Sequence, residues 1–202
     1  MTYTCSDSFI DEHRDINTHD DWYDGVYEDF KMICEILGID LDEQEPSFSG
    51  FCSQGDGASW TGQYRAIRGW VSAPAVPTYD LAPASIREHA PQDEELHRIA
   101  DELCLLARIY GPVYAVVRRH SSHYVHSNTM WFDQWNYHDE EIDYDDVAQE
   151  ILELIETTLK DLFVDLANWL YKRLGESYDG LRSDDAVKES LEANEIYEEE
   201  DA

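Results

Sequence analysis

Apolar residues recur at helical spacing from 23 to 37: Tyr23, Val26, Tyr27, Phe30, Ile33, Cys34 and Leu37 share one face, and Gly38 follows as a stop. Asp20 or Asp21 is placed to cap this helix, and Asp24, Glu28, Asp29 and Glu35 fall on its opposite face. The texture changes at Ser47, where aromatic, small and glycine residues replace the acids. Residues 47–52 and 60–67 read as strands around a Gln54-Gly55-Asp56-Gly57 turn. Pro74, Pro77, Pro83 and Pro91 then punctuate 72–91, which reads as an irregular connection or short helical turns. A second helix is predicted at 92–110, burying Leu96, Ile99, Leu103, Leu106 and Ala107 and ending at Gly111-Pro112. Residues 113–119 and 124–135 read as a strand pair joined by a Ser121-Ser122 turn.

The longest pattern lies at 145–174. Val147, Ile151, Leu154, Ile155, Leu159, Leu162, Phe163, Leu166, Trp169 and Leu170 form its stripe, with Gly175 as the expected end. Such a helix would span roughly 45 Å. Ser183 is placed to cap a final short helix, with Asp184 and Asp185 in its first turn. The expected class is α+β, a small antiparallel sheet covered by helices with one long acidic amphipathic helix near the C-terminus. A single domain over 1–202 is expected: an acidic helical region at 1–45, a near-neutral sheet and helix core at 46–138, an acidic helical region at 139–194, and an acidic tail at 195–202 whose order the sequence leaves open.

Charge changes the picture most. The 202 residues carry 45 Asp and Glu against 14 Lys and Arg, a formal net charge of −31. This excludes a conventional nucleic-acid binder, whose footprint is a surplus of cations. Intrinsic disorder does not fit either, because 43% of residues are hydrophobic and 12% aromatic, enough to build a core. The acids are also unevenly placed. Net charge is −12 over 1–45, −2 over 46–138 and −17 over 139–202. Uniform charging for solubility would not produce that contrast. No apolar run reaches the roughly 20 residues of a membrane span, no signal-peptide pattern opens the chain, and Cys5, Cys34, Cys52 and Cys104 lie far apart, as expected of reduced thiols in a cytoplasm.

Motifs that could carry chemistry are weak. His120, His123 and His126 have HxxHxxH spacing, but on a hairpin His123 would point away from the other two, and no Cys or helix-borne Glu completes a zinc set. Gly55, Gly57 and Gly62 do not form GxGxxG, and Asp56 would repel a phosphate. Cys52 and Ser53 are not in a GxSxG elbow. No cofactor or metal is implied. An enzyme built on Cys52, Asp56 and the three histidines remains one alternative.

The acidic surface is the stronger candidate. Duplex DNA carries about one negative charge per 1.7 Å of axis, so 31 charges match roughly 53 Å of duplex. Carboxylates three or four residues apart on a helix are separated by roughly 5 Å along its axis and can form a row somewhat like a phosphate strand. A DNA mimic would place such rows in a partner's basic groove. The candidate partner-binding residues are Asp139, Glu140, Glu141, Asp143, Asp145, Asp146, Glu150, Glu153 and Glu156, with Asp20, Asp21, Asp24, Glu28 and Asp29 as a second row. A halophilic enzyme, a surface charged only for solubility, and an antitoxin neutralising a basic toxin are competing readings. A twofold dimer would extend the acidic surface, though the sequence does not establish one.

The run from Phe48 to Gly62 (FSGFCSQGDGASWTG) resembles an SGFxSQGDGASFxG signature of small proteins from tailed bacteriophages. The stretches 118–132 and 183–195 are also similar to that family, and scattered blocks over about three-quarters of the chain carry the likeness. Trp60 stands where Phe is usual, and Cys52 fills a variable position. With its acidity, the chain looks like a phage-encoded DNA-mimic inhibitor of bacterial DNA gyrase. The resemblance implies action in the host bacterial cytoplasm, without catalysis, on the DNA-binding groove of gyrase; an inhibitor of a restriction or CRISPR effector is the alternative within the same binding class. No gyrase-specific motif accompanies it. The shared Gly-Asp-Gly block lies in the neutral middle, which points to a scaffold role for it and to the acidic flanks for the specialised activity.

Overall fold

The computed structural model describes residues 6–43, 46–66, 78–110, 113–120, 125–136 and 146–198. The chain is α+β. Among the described residues six helices, α1 (Asp7–Glu12), α2 (Asp24–Leu37), α3 (Thr78–His89), α4 (Glu94–Tyr110), α5 (Asp146–Leu181) and α6 (Asp184–Ala193), accompany six strands. The strands are β1 (Ile39–Leu41), β2 (Ser47–Phe48), β3 (Ala58–Ser59), β4 (Gly62–Ala66), β5 (Val113–Arg119) and β6 (Met130–Asn136). Two compact units result, Met1–Glu28 with Lys172–Ala202, and Asp29–Tyr171.

The larger unit is organised by a four-stranded antiparallel sheet of order β1-β4-β5-β6. Alternation sorts its side chains. Gly62, Tyr64 and Ala66 on β4 and Val113, Ala115 and Val117 on β5 are buried, and register puts them on one face with Ile39 and Phe132. Phe163 of α5 meets that face, with ring centroids 5.3 Å from Trp60, 5.4 Å from Tyr64 and 6.0 Å from Phe132. The other face is polar and aromatic: Tyr114 Oη donates to Gln63 Oε1, and the Arg65 guanidinium lies over the Tyr114 ring. Phe30 and Ile33 from α2, Leu96, Ile99 and Leu103 from α4, and Leu159, Leu162, Leu166 and Leu170 from α5 fill the remaining core. Asp93 joins two helices: Oδ1 accepts Leu96 N–H at the start of α4, and Oδ2 accepts Trp169 Nε1–H at 2.7 Å.

The smaller unit has its own core of Ile10, Val187 and Leu191, flanked by Phe9, Ile16 and Ile196. Ser6 caps α1 and Ser183 caps α6, the latter as the sequence predicts. Asn17 bridges the elements, donating to Leu181 O and Ala186 O and accepting from Ser190 Oγ. The tail is anchored as far as it is described, since Glu198 accepts from Ser6 N–H and Ser6 Oγ.

Several elements depart from expectation. The Gly-Asp-Gly turn does join two strands, but they are the two-residue β2 and β3; β4 pairs with β1 and β5 instead. Part of 72–91 is a regular helix, α3, with Pro83 inside it. It is held to α4 by ion pairs Arg87–Asp101 and Arg108–Asp80. The strand expected at 124–135 begins at Met130, after a 3-10 turn at Ser127–Thr129, and the Ser121-Ser122 turn lies outside the described residues. Helix α5 runs through Gly175 to Leu181, with Leu174 fully buried just before the expected stop and Tyr178 and Leu181 half-buried beyond it. Ile151 and Leu154, expected in its buried stripe, are 40% and 58% exposed, and Leu106 is only half-buried.

Candidate functional site

Helix α5 positions the described part of the first acidic row. Its buried positions Ile155, Leu159, Leu162, Phe163 and Leu166 centre on one side. At about 100° per residue, Glu150, Glu153, Thr157 and Asp161 fall on the opposite side. The three carboxylates there are exposed. Glu156 lies toward one flank and is exposed too, beside Lys160. The steps Glu150–Glu153–Glu156 advance about 4.5 Å each along the axis. Leu154 shares this outer face, so the surface combines carboxylates with exposed hydrocarbon. Asp146 begins α5, but its side chain is outside the described set, as are Asp139, Glu140, Glu141, Asp143 and Asp145 altogether.

The second row divides. Asp20 and Asp21 are exposed in the turns before α2, with Asp21 at φ 53, a left-handed conformation that Asp adopts more readily than most residues. Asp24 and Glu28 sit on α2 at or near its solvent side. Asp29 departs from the expected free row: its carboxylate is engaged, with Oδ1 2.7 Å from His89 Nε2. A carboxylate engaged by a ring of its own protein is less able to imitate a phosphate. Asp20, Asp21, Asp24 and Glu28 belong to the smaller unit, whereas Asp29 and the α5 row belong to the larger.

The Gly-Asp-Gly loop shows what its residues are for. Asp56 Oδ2 accepts from the backbone N–H groups of Cys52 at 2.9 Å and Ser53 at 2.6 Å, bracing the turn from inside. Gly55 has φ +107, which a side chain would strain. Gly57 is needed for closeness: a Cβ there would lie 2.8 Å from the His126 ring. Ser49 Oγ donates to Val125 O and accepts Gly57 N–H. Phe48, Phe51 and Tyr171 stack in series, and Tyr171 Oη donates to Gly50 O. Burial, with the nearby Asp56 carboxylate second, holds the Tyr171 phenol above its ordinary range.

Of the residues of the catalytic alternative, Asp56 is occupied in bracing the loop. His126 does approach the loop, but its Nδ1 accepts Asn128 N–H and caps the 3-10 turn. His120 instead stacks on Trp131 at 5.6 Å, and His123 lies outside the described residues. Among the described residues no group of three or more His, Cys, Asp or Glu is placed to hold a metal ion. Cys52 is exposed, while Cys34 is buried and its thiol pushed well up by desolvation. No helix among the described residues is long and apolar enough to cross a membrane.

A family model described as "Domain of unknown function (DUF8835)" matches residues 22–184, most of the chain and including the braced loop and its partner Tyr171. The chain belongs to this family. The match spans the whole larger unit and only part of the smaller one, whose α1 and nearly all of α6 lie outside it. No curated protein and no solved structure matches the chain.

Proposed function

We propose that this protein is a phage-encoded DNA mimic that inhibits a host DNA-binding enzyme, DNA gyrase first, by occupying its DNA-binding groove. The observation that carries the reading is the set of exposed carboxylates of α5, Glu150, Glu153 and Asp161 on its outward side and Glu156 on its flank, on a chain of net charge −31. The buried stripe of the same helix fixes these groups on a scaffold, so little ordering entropy is lost when they meet a cationic surface. A groove lined by Lys and Arg would exchange its counterions or its DNA for them, a competition that weakens with salt. Action would be stoichiometric and steric, with no bond made or broken.

A supercoiling assay tests this. The protein should inhibit gyrase at amounts comparable to the enzyme, added linear DNA should relieve the inhibition, and the enzyme–DNA complex should disappear from a gel shift. The triple variant Glu150→Lys, Glu153→Lys, Glu156→Lys reverses exposed charges without touching the core, so its circular dichroism should be unchanged. Its inhibitory concentration should rise about tenfold or more. Full inhibition by a folded triple variant would sink the assignment to this face.

A further inference from the structure

We infer that an exposed apolar strip shared by α4 and α5 is a docking site for a basic amphipathic helix of a partner protein. The inference stands apart from the DNA-mimic reading, since it concerns hydrocarbon and a protein helix, and its test needs neither DNA nor a DNA-binding enzyme.

Two hydrogen bonds set how these helices run. Trp169 Nε1–H donates to Asp93 Oδ2 just before α4, and Arg98 Nη2–H donates to Asp165 Oδ2 at 2.6 Å. The contact moves forward along α4 as it moves back along α5, so the pair is antiparallel. Steps of about 100° and 1.5 Å carry the Arg98–Asp165 line along both helices. On α4, Leu105 and Ile109 lie within about 20° of Arg98, about 10 and 16 Å beyond it. On α5, Thr158 and Leu154 lie within about 20° of Asp165 at the same two distances, and Ile151 follows about one turn later. Leu105 is thus level with Thr158, and Ile109 with Leu154. Both helices stay packed on the core at these levels, since Leu103, Ala107, Ile155 and Leu159 are buried. Leu105 and Ile109 are 55% and 60% exposed. With Ile151 and Leu154 they make four of the seven large apolar side chains exposed among the described residues, a concentration that marks an interaction surface rather than scattered surface hydrocarbon.

Charge selects the occupant. The cations bordering the strip are already engaged, Arg98 by Asp165 and Glu102, and Arg108 by Asp80. Glu150 and Asp161 lie within about 40° of Leu154 on α5. Both are exposed and enter no ion pair among the described residues. The charge left beside the strip is therefore negative. A second copy brings the same carboxylates and is repelled, whereas a Lys- or Arg-bearing helix is attracted. From Thr158 to Ile151 the strip runs about 10 Å, the span from i to i+7 on a guest helix. Apolar anchors at helical spacing would lie against Leu105, Ile109, Leu154 and Ile151 while flanking Lys or Arg residues meet Glu150 and Asp161.

Methyl-labelled full-length protein can be titrated with a peptide of about 18 residues carrying Leu at helical spacing and Lys elsewhere. The methyl signals of Leu105, Ile109, Ile151 and Leu154 should shift together, and the peptide should gain helical circular dichroism. The same composition rearranged so that Leu and Lys alternate, and the helical peptide with Glu in place of Lys, should each bind at least about tenfold more weakly. Leu105→Ser with Ile109→Ser alters two exposed side chains and no charge, so the fold should persist while affinity for the Lys peptide falls at least about tenfold. Ile151→Ser with Leu154→Ser should act alike from α5. Unchanged affinity in either double variant would mean that charge alone attracts the peptide and would overturn the inference, as would unmoved methyl signals or equal binding of the alternating peptide. Sedimentation should give a monomer; a dimer that either double variant dissociates would assign the strip to a second copy and overturn the inference as well.

Discussion

Two glycines show how single atoms constrain this protein. A Cβ on Gly62 would lie 2.3 Å from Asp40 O, so β1 can approach β4 only where a side chain is missing. At Gly57 the obstacle is His126, with Cδ2 at 2.8 Å and Cα at 3.2 Å, so rotating the ring alone does not clear the space. Gly57→Ala should destabilise by about 1–3 kcal/mol, the range of an overpacked contact, and lower the thermal midpoint. An unaltered midpoint would mean that the loop and the 3-10 turn are not packed as described. A second residue-scale expectation concerns Asp101, whose carboxyl is held below its ordinary range first by the hydrogen bond from Arg87. A depressed carboxyl stabilises the fold above its unfolded pKa, and that contribution is lost as pH falls through the folded pKa. Arg87→Gln should therefore lower urea stability at neutral pH, with the gap closing on acidification. The gap should be small, because both side chains are about half exposed and water screens the pair. A gap that widened in acid would contradict the sign.

Periodicity exposed the elements that bury a continuous stripe, α2, α4 and most of α5, because a helix facing a core repeats its apolar positions over several turns. It missed α1, whose six residues hold one buried side chain, Ile10, too few for a pattern. It also missed the three-residue β1, and Pro83 concealed α3, where the ion pairs to α4 accompany a helix that local preference opposes. At the candidate site, which acids face outward on α5 followed from the spacing. The engagement of Asp29 by His89 did not, since those residues are sixty positions apart. Gly175 was a misleading stop for a related reason, as the apolar pattern carries across it through Leu174, Tyr178 and Leu181. Gly180 lies in the final turn with nothing within 4 Å of the place a methyl group would take, so Gly180→Ala meets no obstacle. It should stabilise by about 0.5 kcal/mol, through lost freedom of the unfolded chain, and raise the thermal midpoint slightly. A fall would indicate that the last turn is not helical.

At the scale of the whole molecule, a net charge of −31 acts on folding and on binding with opposite signs. Like charges repel one another within the compact state, and the described ion pairs offset this only locally. Salt shortens the Debye length from about 30 Å at 0.01 M to about 10 Å at 0.1 M, so adding it relieves that repulsion. The thermal midpoint should therefore rise between these two concentrations of sodium chloride. Attraction to a cationic groove is screened by the same ions, so inhibition of the proposed target should fall over the same range. The opposition is diagnostic. If salt weakened inhibition by unfolding the inhibitor, both quantities would fall together; if the outward carboxylates act electrostatically, stability must rise while inhibition declines. Calorimetry and supercoiling assays on one salt series make the comparison. The Glu150→Lys, Glu153→Lys, Glu156→Lys variant changes the net charge from −31 to about −25 and should flatten both slopes, the inhibition slope more because it loses charge from the contact face itself. Inhibition that held constant while the midpoint climbed would place the binding energy in the exposed Ile151 and Leu154 rather than in the acids beside them.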